Sequence, residues 1–260
     1  MSSNSSSSKL STDSDVNIIS GESNSDISSN ESNDEPATNK RDCNACDDEV
    51  VIDPHGPQHV TSHVLAILEK WSKVTAISPD TFLTKLLSTR GYDCTAIPPH
   101  CTKRKCAPSE KEISDYDNEL VWAIRNSHLE KLKVLKYSGR SMKACNRFSE
   151  SIIHMACRRS DFDIVEYVLQ NGADISVVDD FGRTPLHDAC WSMSTRFDVA
   201  TLLLDQDPQL LLKVDVRGCS PLKYVREEHW LDWCAFLYYQ KERYWPILPS
   251  GTKRKWEGCE

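Results

Sequence analysis

Apolar residues recur through the second half of the chain at the three- and four-residue steps of a helix face. Leu186, Ala189 and Cys190 form one such stripe, and Ala123, Ala156 and Ala189 hold the same place in three stretches set 33 residues apart. A second stripe follows each of the last two stretches. It reads Phe162, Ile164, Val165, Val168 and Leu169 in one, and Phe197, Val199, Leu202 and Leu203 in the next. Paired short helices at a fixed period predict an all-α array of stacked helix–turn–helix units, each burying its apolar face against its neighbours.

Two further stripes flank this region. Residues 58–90 predict a helix pair. Val60, Val64, Leu65, Leu68 and Trp71 form the first helix, and Phe82, Leu83, Leu86 and Leu87 the second, which starts at Ser78-Pro79-Asp80 and stops at Gly91. Such a pair ahead of a repeat array is expected to cap its first face, since terminal units need atypical outer surfaces, with a separate small helical docking module as the alternative. Residues 91–113, with Pro98 and Pro99, read as a linker. At the other end, Trp230, Trp233, Phe236, Leu237, Tyr238 and Trp245 are too apolar to stay unpacked and are expected to close the array on Leu202 and Leu203. The array thus spans 114–245 as about four units, and 246–260 reads as a flexible tail.

The punctuation between stripes repeats as well. Gly182-Arg183-Thr184-Pro185-Leu186-His187-Asp188-Ala189-Cys190 has a weaker copy at Ser151-Ile152-Ile153-His154-Met155-Ala156-Cys157. A hydroxyl at Thr184, Ser151 or Ser220 suits a helix N-cap. Pro185 and Pro221 suit the first helical position, where no N–H is needed. Gly172 fits a left-handed helix stop. The steps Asp179 to Gly182 and Asp215 to Gly218 fit tight turns between units. The last offset is 36 residues instead of 33, so about three residues are inserted, two near 191–195 and one near Pro208.

These residues resemble the ankyrin-repeat family, closely over 182–188 and well over about 118–237, roughly half the chain. Residues 182–191, with Asp215, Arg217, Gly218, Tyr224, Val225, Arg226, His229 and Trp230, are similar to a large group of microalgal ankyrin-repeat proteins. The resemblance implies an ankyrin solenoid that binds a partner protein. It also implies that His154 and His187 hydrogen-bond the capping residue and neighbouring backbone.

Composition changes the picture only at the amino end. Of 39 acidic and 31 basic residues, residues 1–50 hold eleven and three, which leaves 28 of each in the remainder. Residues 1–57, rich in Ser, Asp and Glu, are therefore expected to be a disordered acidic tail. Ser23, Ser28 and Ser32 each stand three residues before an acid, an arrangement that suits acid-directed phosphorylation. The balanced remainder argues against a nucleic-acid partner. No apolar run approaches the about 18 residues of a membrane span. The absence of a signal-peptide pattern and the odd count of eleven cysteines point to an intracellular protein, cytoplasmic or nuclear, with reduced thiols, and a monomer is expected.

Candidate chemistry is sparse. Cys43 and Cys46 form a Cys-x-x-Cys pair that Cys94, His100, Cys101 and Cys106 could complete only with irregular spacing, against the roughly four convergent ligands of a zinc site. The His-x-x-Cys steps at His154 and His187 lie a full repeat apart. Lys103-Arg104-Lys105 and Lys253-Arg254-Lys255 are short basic runs. No phosphate loop, nucleophile motif or carboxylate pair stands out, so no cofactor and no catalysis are expected. A metal- or redox-active use of the amino-terminal Cys and His residues is the alternative. The binding surface is expected at the turn tips, Arg147, Phe148, Asp180, Phe181, Val216 and Arg217. It continues on the inner helices at Met155, Arg158, Asp188, Trp191, Tyr224 and Glu227, a set rich in the side chains that dominate interfaces.

Overall fold

Three pairs of antiparallel helices stack in register. The pairs are α3 (Asn118–Arg125) with α4 (Leu129–Tyr137), α5 (Ile152–Arg159) with α6 (Phe162–Gln170), and α7 (Pro185–Trp191) with α8 (Phe197–Leu204). They follow α1 (Pro79–Arg90) and α2 (Glu110–Asp115), and precede α9 (Trp230–Tyr239) and α10 (Lys241–Tyr244). The computed structural model describes residues 77–99 and 108–249, with Ala66, Thr252 and Arg254, all within the unit Val50–Glu260. The acidic tail, the stripe at 60–71 apart from Ala66, and the basic run at 103–105 lie outside the described residues.

Local chemistry explains the helix starts. Ser151 and Thr184 sit as N-caps in extended backbone, and the histidine three residues on completes a reciprocal cap. The backbone N–H of Ser151 donates to His154 Nδ1 at 3.2 Å, and that of Thr184 to His187 Nδ1 at 3.0 Å. A ring that accepts on Nδ1 carries its proton on Nε2. Each Nε2–H then reaches a carbonyl of the next unit, Arg183 O at 2.9 Å for His154 and Cys219 O at 3.1 Å for His187. The role that the family resemblance implies for these histidines is the one observed. Leu186, Ala189 and Cys190 are buried, as are Ala123 and Ala156, in one continuous core. A 3₁₀ turn, Pro208–Leu212, takes up the insertion near Pro208.

The fourth unit departs from the expected pattern. Its first helix shrinks to one 3₁₀ turn, Pro221–Tyr224, followed by a second, Glu227–His229, and only then by α9. Trp233 of α9 packs edge-on to Phe197 at 5.2 Å and to Phe236 at 5.6 Å, while Phe197 and Phe236 stack at 4.8 Å. This aromatic triad, centred on Phe197, is where α9 meets the third unit.

The amino-terminal helix corrects a second expectation. Instead of covering the first unit, α1 packs on α9 and on the Pro221–Tyr224 turn at the far end of the array. Its Phe82, Leu83, Leu86 and Leu87 are all buried there. Arg90 donates to the Trp245 carbonyl and pairs with Glu242, and Asp80 accepts from the Ser220 hydroxyl. The physical reason is that an apolar stripe demands cover without naming its source, and here α9 and the Pro221–Tyr224 turn supply it.

The flanking segments are also more structured than expected. The linker begins as a strap along the array: Ile97 N–H donates to Leu212 O at 2.8 Å, and Val214 N–H to Ile97 O at 2.9 Å. It ends in α2, whose Ser109 and Glu112 form a capping box. At the carboxyl end Leu248 N–H reaches Arg90 O at 3.2 Å, and Arg254 bridges Tyr92 in parallel. Those residues of the expected flexible tail are therefore paired to the strap and α1.

Candidate partner-binding surface

The turn tips are built by one device used three times. In the last two, Asp179 Oδ1 accepts from the N–H of Phe181 and Arg183 at 3.0 and 2.9 Å, and Asp215 Oδ1 from Arg217 and Cys219 at 2.8 Å each. Asn146 does the same for Phe148 and Glu150, at 2.9 and 3.1 Å. The fourth residue of each turn has left-handed backbone: Ser149 at φ 60°, Gly182 at 77° and Gly218 at 75°. Successive tips are tied by backbone, Asp180 N–H to Phe148 O at 3.1 Å and Val216 N–H to Phe181 O at 2.9 Å. Ser149 Oγ donates to Asp180 Oδ1 at 2.9 Å as well.

This ladder holds apolar side chains out into solvent. Phe148, Phe181 and Val216 are 54%, 58% and 62% exposed. Arginines lie over the neighbouring rings, Arg147 over Phe148 at 5.0 Å and Arg183 over Phe181 at 5.1 Å. In the fourth unit Arg217 lies 5.7 Å from the Tyr224 ring and bonds its hydroxyl at 2.6 Å, while that hydroxyl donates to Asp215 Oδ2 at 2.7 Å. Burial and the bond to Asp215 push the Tyr224 phenol up to about 12, so it stays protonated and donating. Asp215 is held below the usual carboxylate range, because its hydrogen bonds from Tyr224, Cys219 and Arg217 outweigh the cost of burial.

On the inner helices the expected residues divide. Trp191 is 44% exposed, with Arg158 5.8 Å over its ring. Arg158 also pairs with Glu150 and, at 3.1 Å, with Asp188. Glu227 is exposed and Tyr224 half-buried. Met155 and Asp188 are buried, Met155 in the apolar core and Asp188 under the Arg158 guanidinium. These two are corrections, since a partner reaches neither, and Asp188 acts by holding Arg158 in place.

Three residues of the same surface were not anticipated from the sequence. Trp122, in register with Met155 and Asp188, is 51% exposed on α3, and Arg125, in register with Arg158 and Trp191, is exposed beside it. The signal was the 33-residue register itself, carried one unit further back. Tyr116 is half-buried and packs against the core. Its phenol is pushed up to about 12 by burial and by Glu150, against the pull of Arg158 and Arg125.

Among the described residues no group of three or more His, Cys, Asp or Glu side chains could hold a metal. Cys43, Cys46, His100, Cys101 and Cys106 lie outside them. Burial pushes the Cys145 and Cys234 thiols up to about 11 and 12, and raises those of Cys157 and Cys190 further. Such thiols are poor nucleophiles at neutral pH. No described helix is long and apolar enough to cross a membrane.

Stacked helix pairs tied at hairpin-like tips define an ankyrin-type array, and the comparisons agree. Residues 120–214 match the family model for ankyrin repeats in three copies, so this stretch is an ankyrin-repeat array. The truncated fourth unit falls outside that match. The chain is 39% identical over 77 residues to BRCA1-associated RING domain protein 1 of Caenorhabditis elegans, covering 29% of this chain and 11% of that protein. It is 29% identical over 127 residues to ankyrin repeat protein nuc-2 of Neurospora crassa, covering 48% and 12%. It is 36% identical over 77 residues to the ADP-ribosylation factor GTPase-activating protein AGD4 of Arabidopsis thaliana, covering 30% and 10%. The match thus spans about a tenth of each of these relatives.

Proposed function

We propose that this chain is a non-catalytic protein-binding module, an adaptor or regulator working inside the cell, that grips a partner protein through its turn tips and inner helices. Ankyrin repeats imply protein binding, and the observation that supports this particular face is its row of exposed rings with arginines laid over them. Phe148, Phe181 and Trp191 are each about half exposed and each lies under a guanidinium. Aromatic and arginine side chains supply most of the energy in measured interfaces. The rigid tip ladder holds them in place before binding, which lowers the ordering cost.

Affinity capture from native cell extract tests the reading, with wild type beside a Phe148→Ala/Phe181→Ala variant. The variant is expected to lose specific partners while melting at an unchanged temperature, because both side chains are exposed. Identical captured sets would count against this face.

A further inference from the structure

The strap meets the array over a single rung of parallel pairing. Ile97 N–H donates to the Leu212 carbonyl at 2.8 Å, and the Ile97 carbonyl accepts from the Val214 N–H at 2.9 Å. Ile97 itself is 8% exposed. Thr95 and Ala96 before it are exposed, and Pro98 and Pro99 after it are half-buried, with the Pro99 ring beside Gly182. The strap is thus seated on this edge by one buried aliphatic side chain and one pair of main-chain bonds.

The edge offers more than the strap takes. In a parallel ladder the next bond runs to the Val214 carbonyl from the N–H of the residue two places beyond Ile97. That residue is Pro99, which has no N–H to give. Among the described residues the Val214 carbonyl accepts no hydrogen bond. An open groove of about 560 Å³ lies there, lined by Pro98, Pro99, Val178, Val214 and Val216 among others. Val216 gives its N–H to the Phe181 carbonyl, so the groove adjoins the exposed tips.

We propose, resting on the protein-binding reading above, that this edge is a strand-exchange site, where an extended segment of the partner protein displaces the strap and pairs in parallel with residues 212–214. The segment carries an aliphatic side chain in the place of Ile97. Two residues further on it carries a residue other than proline, whose N–H fills the Val214 carbonyl. The present occupant selects this chemistry, because Leu212 and Val214 already pair with extended backbone in the register that the incoming segment continues. The segment makes a third main-chain bond that the strap lacks, and one added hydrogen bond corresponds to roughly a fivefold gain in affinity. Main-chain pairing supplies the affinity of strand addition, and the alternate side chains its specificity. The strap has the advantage of its tether, which the partner offsets through contacts to Phe181 and Val216 beside the edge.

Amide hydrogen exchange, followed by NMR on the wild-type full chain, tests whether the strap opens by itself. The N–H groups of Ile97 and Val214 are expected to exchange at least tenfold faster than that of Val216, which is fastened within the tip ladder. Strand addition is then read by fluorescence anisotropy with a labelled peptide of residues 92–100 and its Pro99→Ala counterpart. Each is titrated with the wild-type chain and with an Ile97→Ser chain, in which the strap loses its buried anchor. The Pro99→Ala peptide is expected to bind the Ile97→Ser chain about fivefold tighter than the unchanged peptide does, and at least tenfold tighter than it binds wild type. Val214 and Val216 exchanging together, equal binding of the two peptides, or binding of neither to an Ile97→Ser chain that still melts cooperatively overturns the proposal. If that variant does not fold, the exchange rates alone decide. Failure here removes only the strand-exchange site wherever the Phe148→Ala/Phe181→Ala variant loses its captured partners, and the protein-binding reading then stands.

Discussion

His187 donates its Nε2–H to the carbonyl of Cys219, 32 residues ahead, at 3.1 Å. The same ring accepts the Thr184 N–H on Nδ1. One imidazole therefore caps its own helix and fastens the next turn, and both bonds require it to be neutral. A second proton on Nδ1 would remove the acceptor that Thr184 uses.

This arrangement makes stability depend on pH in a defined window. Burial pushes His187 down to about 4 from its ordinary value near 6.5. The unfolded chain therefore takes up this proton before the folded one, and stability falls as pH drops. The contribution is complete above about pH 6.5 and is lost progressively down to about pH 4. It is worth about 3 kcal/mol, since each tenfold difference in proton affinity between the folded and unfolded chain corresponds to roughly 1.4 kcal/mol. Urea denaturation at pH 7 and pH 4.5 should show wild type losing stability, and a His187→Gln variant, weaker throughout, should lose less across the same interval. Equal losses would dissociate this histidine from the acid sensitivity.

Gly182 and Gly218 share a left-handed backbone but not a neighbourhood. A Cβ on Gly182 would stand 2.8 Å from Pro99 Cγ and 3.3 Å from the Val216 nitrogen, whereas one on Gly218 meets nothing within 4 Å. Gly218→Ala should therefore cost only the backbone term, about 1 kcal/mol. Gly182→Ala should cost more, about 2–4 kcal/mol, because the strap must shift as well. Paired urea titrations settle the order, and equal losses would show that Pro99 is not seated on the tip.

The docking of α1 on α9 makes the amino-terminal helix part of the array. Leu86 is 2% exposed against that end. Leu86→Ala should cost about 2–5 kcal/mol. Deleting residues 1–91 should abolish the cooperative transition, since a typical domain has only about 5–15 kcal/mol in reserve. A truncated chain that melts as sharply as the whole would show that the carboxyl end packs without α1.

Much of the array could be read directly from the chain because its determinants are local. The caps at Ser151 and Thr184, the prolines at 185 and 221 and the turn glycines act on backbone within a few residues of themselves. Binding positions were legible only where the register leaves a side chain uncovered. Phe148 and Phe181 lie in the turns and are each about half exposed. Met155 and Asp188 share a register position with Trp122, yet the two are buried and Trp122 is half exposed. Periodicity specifies the face of a helix but not how closely the neighbouring unit covers it.

The sequence by itself determined the repeat period, the helix starts and the tight turns, since each follows from groups within one repeat, whereas the histidine links were implied only by the family resemblance. Tertiary structure alone decided that α1 closes the far end of the array, where Arg90 meets the Trp245 carbonyl 155 residues away. It also decided that the fourth unit gives up its first α-helix and that Trp122 stays open while Met155 is buried. Burial of apolar surface is non-directional and rewards any cover that fits. A stripe of Phe82, Leu83, Leu86 and Leu87 therefore states that a partner surface exists, and only the packed molecule shows that this surface is α9.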